Sequence, residues 1–280
     1  IDSAIFVRSL EWDIAVDLGG FTQDARTEIF SISIAPIQLS YIGYLGTMGA
    51  SYYDYLIADI VIIPEKDQKS YTEKIVYLPT FQVNDSNQTE AVTNLSRKDV
   101  GLPDEGFVFC CFNKSYKYNP RCFDIWARIL NKVQNSVLLI YAENNLAQSN
   151  LKNEITQRGV DSSRLIFGER LSRPEYLGRY KLADLFLDTN PYNAGATSSD
   201  ALRMGLPVLT FYGHSFASRM GASILKAVHM PELIASSEEQ YESMAIELGN
   251  NPKKLKTTKD KLFINLAKAE LYNSVEFTKN

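Results

Sequence analysis

FVFCCF at residues 107–112, VLLIY at 137–141, LIF at 165–167, LFLD at 185–188 and VLTF at 208–211 decide the fold of this chain. Each is a short run of apolar, β-branched or aromatic residues, as expected of a strand buried on both faces. Longer stretches with apolar residues at helical spacing separate them, as in Phe123, Trp126, Ile129, Leu130 and Val133. Pro120 suits the first turn of that helix, where no N–H is needed and its fixed φ is already helical. Strands alternating with helices predict a doubly wound α/β unit on a parallel sheet.

Beyond Phe211, residues Ser215–Val228, Pro231–Leu248 and Leu255–Leu271 read as further helices. Before Phe107, Asp13–Leu18, Ile37–Ile42, Leu56–Ile63 and Ile75–Leu78 read as strands and Ala25–Ile32 as a short helix. The polar stretch NDSNQTEAVTNLSR, Asn84–Arg97, has the composition of a linker and marks a boundary between residues 1–97 and 98–280. Two α/β units joined there face each other across a cleft. Ligands of open α/β sheets bind outside the carboxyl ends of the strands, so the chemistry is expected just after them. No internal repeat of 20–50 residues is visible.

The chain has 280 residues, 45% hydrophobic and 22% charged, which excludes a disordered, collagen-like or coiled-coil protein. No apolar run is long enough to span a membrane, so no membrane partner is expected. The net charge of −4 speaks against a nucleic-acid partner. Three cysteines cannot all pair, Cys110 and Cys111 are adjacent, and no C-x-x-C occurs. This usage predicts a reducing compartment, the cytoplasm. Four N-x-S/T triplets begin at Asn84, Asn87, Asn94 and Asn113; without a signal-peptide pattern beside them they read as chance matches.

Phosphate-binding G-x-x-x-x-G-K-[S/T], dinucleotide-binding G-x-G-x-x-G, H-E-x-x-H and G-x-S-x-G motifs are all absent. The two histidines, His214 and His229, are too isolated for a zinc site, and no D-x-D pair suggests a metal on a diphosphate. Two segments after strands carry candidate chemistry. In Asn113-Lys114-Ser115-Tyr116-Lys117, lysines at a strand's carboxyl end can neutralise phosphate, although a solvated loop has the same composition. In Asn193-Ala194-Gly195-Ala196-Thr197-Ser198-Ser199-Asp200, small residues let backbone N–H groups and a helix N-terminus meet an anion. Asp200 can accept bonds from sugar hydroxyls, yet Thr197-x-x-Asp200 also has the spacing of a capping box needing no ligand. Gly43, Gly46 and Gly49 predict a tight loop, and Tyr52, Tyr53 and Tyr55 read as core and interface.

Four long stretches carry a family resemblance: residues 17–50 (DLGGFTQDARTEIFSISIAPIQLSYIGYLGTMGA), 111–130 (CFNKSYKYNPRCFDIWARIL), 182–210 (LADLFLDTNPYNAGATSSDALRMGLPVLT) and 213–225 (GHSFASRMGASIL). In order and over nearly the whole chain, they resemble the catalytic region of the protein O-linked N-acetylglucosamine transferase and SPINDLY-like group of glycosyltransferases. The resemblance implies two facing Rossmann-like domains of GT-B type, the first incomplete here, with a nucleotide-sugar bound mainly by the second. It implies a catalytic, diphosphate-holding role for Lys117, with Lys114 and Tyr116 beside the donor. Arg170 and Leu171 match positions lining a uracil pocket, and Arg173, Tyr176 and Arg179 match further nucleotide contacts. Gly195, Ala196 and Thr197 match the diphosphate-binding helix start and Asp200 the ribose ligand. The loop Gly46-Thr47-Met48-Gly49 is similar to one near the donor sugar and acceptor. The implied reaction is transfer of N-acetylglucosamine from UDP-GlcNAc to Ser or Thr hydroxyls of a protein or peptide, with inversion and with neither cofactor nor metal.

Departures from the family pattern bear on this. Ala196 stands where a hydroxyl residue is usual and Leu45 where proline is common. The family's His-Pro motif and tetratricopeptide repeats lie upstream of the matched region, and neither His214 nor His229 replaces that histidine. The chain therefore reads as a fragment, expected to bind UDP weakly and to show no transfer alone. UDP-glucose or GDP-fucose as donor, or a non-catalytic scaffold recognising nucleotide or peptide, are the alternative readings.

Overall fold

The structure, a computed structural model, describes residues 2–84 and 94–280. A short helix α1 (Asp2–Arg8) precedes a sheet of β1 (Ile14–Asp17), β2 (Ile37–Tyr41), β3 (Tyr55–Ala58) and β4 (Lys74–Tyr77), all parallel in the order β1-β2-β3-β4. Ile14 and Val16, two residues apart and so on one face of β1, are exposed. The second sheet holds β5 (Phe107–Cys111), β6 (Ser136–Ile140), β7 (Leu165–Phe167), β8 (Leu185–Leu187), β9 (Val208–Phe211) and β10 (Ile234–Ala235). Every pairing is parallel and the order is β10-β9-β8-β5-β6-β7. Counted from β5, this is the 3-2-1-4-5-6 order of nucleotide-binding α/β sheets, and its order reverses between β5 and β8.

The helices of this unit are α2 (Pro120–Lys132), α3 (Asn145–Gln157), α4 (Arg173–Tyr180), α5 (Ala196–Arg203), α6 (Met220–Ala227), α7 (Glu238–Asn250), α8 (Pro252–Leu266) and α9 (Ser274–Lys279). Helix α2 packs on α3 and α7, and α5 on α4 and α6. Strands β5, β6, β8 and β9 are buried on both faces, which is why they read as continuous apolar runs. Pro120 opens α2 as the sequence predicts, with the Asn119 side chain capping the N–H of Cys122 at 3.0 Å. Trp126, Tyr180, Tyr241, Phe81, Phe109 and Phe186 are the largest fully buried side chains. Cys110, Cys111 and Cys122 are all buried free thiols, and burial pushes each one's pKa upward.

Several expected boundaries move. The strand expected over Leu56–Ile63 ends at Ala58, because the Asp59 carboxylate accepts the N–H groups of Val61 and Ile62, both at 2.8 Å, and turns the chain. The helix expected at Ala25–Ile32 is a 3₁₀ turn over Thr27–Ile32. Ser215–Val228 divides into a turn at Phe216–Ser218 and helix α6. Pro231–Leu248 is not one helix: a turn at Pro231–Leu233 leads into β10, and α7 starts only at Glu238. The Leu255–Leu271 helix runs from Pro252 to Leu266. Of the expected linker, residues 85–93 lie outside the described residues, as does the triplet at Asn87.

Glycine is required at Gly43, where a Cβ would stand 2.2 Å from the Leu18 carbonyl oxygen and 2.7 Å from that of Gly19. Both neighbours are backbone and have little freedom to move. Gly43→Ala is expected to cost about 2 kcal/mol or more, read as a lowered midpoint in urea unfolding.

Candidate functional site

The two segments flagged by sequence lie on either side of the point where the strand order reverses. The first follows β5 and the second follows β8. Lys117 Nζ donates to the Asn193 carbonyl at 2.8 Å and sits 3.7 Å from the centroid of the Tyr192 ring. A lysine held this way is not the solvated loop residue that composition alone allowed. Burial lowers its pKa, while the nearby Asp188 carboxylate acts in the opposite direction. Lys114 and Tyr116, by contrast, are exposed.

Asn113 joins the two segments. Its Nδ2 donates to Thr189 Oγ1 at 2.7 Å, and its Oδ1 accepts from Thr197 Oγ1 at 2.5 Å. The Thr197 hydroxyl is therefore committed to the segment after β5, not to its own helix. Helix α5 begins after Gly195 without a side-chain cap, and Asp200 is ion-paired with Arg173. This overturns the capping-box reading of Thr197-x-x-Asp200. The uncapped start keeps backbone N–H groups at a positive helix end, beside Gly195, Ala196 and Thr197. A capping box does occur one helix earlier, between Ser172 and Glu175 at the start of α4.

Asp188, missed in the sequence reading, organises the loop that leads to α5. It is 2% exposed; Oδ1 accepts the N–H groups of Thr189 (2.8 Å) and Ala194 (2.7 Å), and Oδ2 the Thr210 hydroxyl (2.7 Å). Burial raises its pKa to about 6, against those hydrogen bonds and the Lys117 charge. The only sequence signal was an Asp at the end of a strand whose other residues are apolar.

Beside these groups opens a cavity of about 660 Å³ lined by Phe112, Lys114, Tyr116, Arg170, Leu171, Tyr176, Arg179 and Thr197, with Tyr141, Glu143 and Glu169 completing it. The guanidinium of buried Arg179 stacks 4.1 Å from the Phe112 ring centroid and donates to the Glu169 carbonyl at 2.7 Å. The Tyr176 hydroxyl meets that of Tyr180 at 2.5 Å, and Tyr180 donates to the Thr197 carbonyl. Planar faces of this kind suit a nucleobase. Arg173 and Asp200 are not among the lining residues; Arg173 grips Asp200 with Nη1–Oδ2 and Nη2–Oδ1 distances of 2.7 and 2.6 Å.

Gly46-Thr47-Met48-Gly49 belongs to the other sheet and does not line this cavity. The buried Glu73 carboxylate shapes the loop by accepting Thr47 Oγ1 at 2.8 Å and the Met48 N–H at 2.6 Å; Gly49 takes a positive φ of 65°. His214 is exposed in the loop after β9, and His229 lies in the turn two residues past α6 with a positive φ. Among the described residues no group of three or more His, Cys, Asp or Glu side chains is placed to hold a metal ion. No described helix is long and apolar enough to cross a membrane.

An Arabidopsis thaliana protein named as the probable UDP-N-acetylglucosamine–peptide N-acetylglucosaminyltransferase SEC is 34% identical over 274 residues, 95% of this chain and 28% of that protein. The Petunia hybrida protein named as the probable enzyme SPINDLY is 29% identical over 287 residues, 98% of this chain and 30% of that one. The structure of the Thermobaculum terrenum O-GlcNAc transferase superposes with a TM-score of 0.91 at 28% identity, covering 99% of this chain and 53% of that one. The chain thus spans under a third of the length of these plant relatives. Its two parallel α/β sheets are those of the GT-B glycosyltransferases. The model of glycosyl transferase family 41 matches residues 7–93 and 85–280, and the chain belongs to that family.

Proposed function

We propose that this chain forms the donor-binding part of a protein glycosyltransferase that moves N-acetylglucosamine from UDP-GlcNAc to Ser or Thr hydroxyls. In this reading residues 98–280 bind the nucleotide-sugar, and residues 1–97 contribute the later part of the acceptor-side Rossmann-like unit. The observation that carries it is the meeting of Lys117 and the uncapped start of α5 at the reversal point of the sheet, beside a cavity walled by Phe112, Tyr176 and Arg179. A uracil stacks in that cavity, the ribose hydroxyls reach Asp200 beside Arg173, and the diphosphate lies across α5 toward Lys117. Names of the relatives support the donor and the peptide acceptor, and free buried thiols fit a cytoplasmic protein.

Departure of UDP builds charge on the β-phosphate, and a fixed ammonium plus oriented N–H groups stabilise it as it forms. Those groups supply the electrostatic role without a metal ion. Direct attack of the acceptor hydroxyl opposite the leaving group inverts the anomeric carbon.

Calorimetric titration with UDP and GDP tests the donor assignment. UDP is expected to bind and GDP to bind at least about tenfold more weakly, since a purine exceeds a pocket built for a pyrimidine. Tighter binding of GDP would move the donor to a guanosine sugar; binding of neither would remove the donor site. In the complete protein, transfer from UDP-GlcNAc to a Ser-containing peptide tests the reaction itself.

A further inference from the structure

Asp59, at the end of β3, does more than stop its strand. Its carboxylate is 1% exposed, with Oδ1 filled by Val61 and Ile62 N–H groups. Its Oδ2 accepts the Phe81 N–H at 2.8 Å and the hydroxyl of Ser223. Ser223 lies on α6, against the second sheet, and is itself 2% exposed. One turn earlier, Arg219 Nη1 donates to the Val61 carbonyl at 3.2 Å. The turn after β3 is therefore fastened to α6 at two points, one of them a carboxylate with no water to replace a lost partner.

Helix α6 leads on to the candidate site. The Gly221 N–H, in its first turn, donates to Asn193 Oδ1 at 3.3 Å, and the carbonyl of the same asparagine receives Lys117. On the other side, the Tyr44 ring meets Phe216 edge-on at 5.3 Å, bringing the base of the Gly46–Gly49 loop against the turn that precedes α6. Loop and lysine are thus both referred to one helix. That helix is held by Asp59.

We propose that the Asp59–Ser223 hydrogen bond is a positioning tie that keeps the Gly46–Gly49 loop in register with Lys117. The proposal rests on the donor and acceptor reading above. Neither Asp59 nor Ser223 is expected to touch substrate. Each acts through what it holds: Asp59 the turn after β3, Ser223 the start of α6.

Ser223→Ala in the complete protein removes the tie and leaves Asp59 its three backbone donors. The expected UDP dissociation constant stays within about twofold of wild type, because the tie lies outside the donor cavity. Peptide transfer falls about tenfold or more, the scale set by misplaced reacting groups. Spin labels at Ser51→Cys and Ser149→Cys, one on each sheet's unit, are expected to give a broader distance distribution in the variant. An unchanged distribution, or a broadened one with transfer intact, overturns the proposal. Parallel loss of UDP binding and transfer overturns it too, since that marks a general loss of structure. If wild type fails to bind UDP, the donor reading falls, while the label distances still decide whether the two units are tied through Ser223.

Discussion

Lys117→Ala is expected to weaken UDP binding between about tenfold and about a hundredfold, the equivalent of one or two charge-assisted hydrogen bonds. The lysine is already partly desolvated, held between the Tyr192 face and the Asn193 carbonyl. Its ammonium has donors to spare, so a diphosphate gains a charge that needs little rearrangement. Calorimetry with UDP and with uridine separates this from damage to the base pocket: uridine, lacking phosphate, should bind both forms alike. Lys117→Arg should recover only part of the loss, because the longer, planar guanidinium moves the charge away from the point that the compact ammonium occupies between Tyr192 and the Asn193 carbonyl. Equal UDP affinity in wild type and Lys117→Ala would remove this residue from the donor site.

Asp188→Ala is expected to destabilise the chain by about 3 kcal/mol or more, because it strands the Ala194 and Thr189 N–H groups and the Thr210 hydroxyl at once. Asp188→Asn should be far milder. Its amide oxygen can accept both N–H groups while its NH₂ donates to Thr210, and no charge has to be buried. The two variants also differ in pH dependence. The folded pKa of about 6 lies above the ordinary 3.8, so between those values the native state holds the extra proton. The contribution of this group therefore falls as pH rises through that window, by roughly 3 kcal/mol in total. Urea unfolding of wild type from pH 4 to pH 7 should show that loss, and Asp188→Asn should flatten the profile. Parallel profiles would mean that Asp188 titrates normally.

What was legible in the sequence follows from where each signal resides. Strands such as Phe107–Cys111 and Val208–Phe211 are recorded in their own side chains, since burial on both faces demands apolar residues throughout. The placement of Lys117 and Gly195 after strands was legible for the same reason. β10 was not, because two residues cannot show a period, and its existence depends on the edge offered by Thr210 and Phe211. Thr197 shows the limit of spacing as a guide: the pattern of a capping box is present, but a partner 84 residues earlier takes the hydroxyl. Asp188, Glu73 and Asp59 share that limit. Each is a buried acceptor for donors contributed by distant segments, and a lone carboxylate in a sequence looks the same whether it faces solvent or organises a loop.

The burial of all three thiols has a practical consequence for labelling chemistry. Alkylating reagents attack the thiolate, and Cys110, Cys111 and Cys122 are both inaccessible and held protonated by their surroundings. In these 280 residues the native background to maleimide or nitroxide reagents should be close to nil while the chain stays folded. Cysteines introduced at exposed sites would then carry the whole signal, without first replacing residues that pack β5. The same thiols become reactive once the second sheet opens, so the rate of their modification in rising urea doubles as a clock for its unfolding.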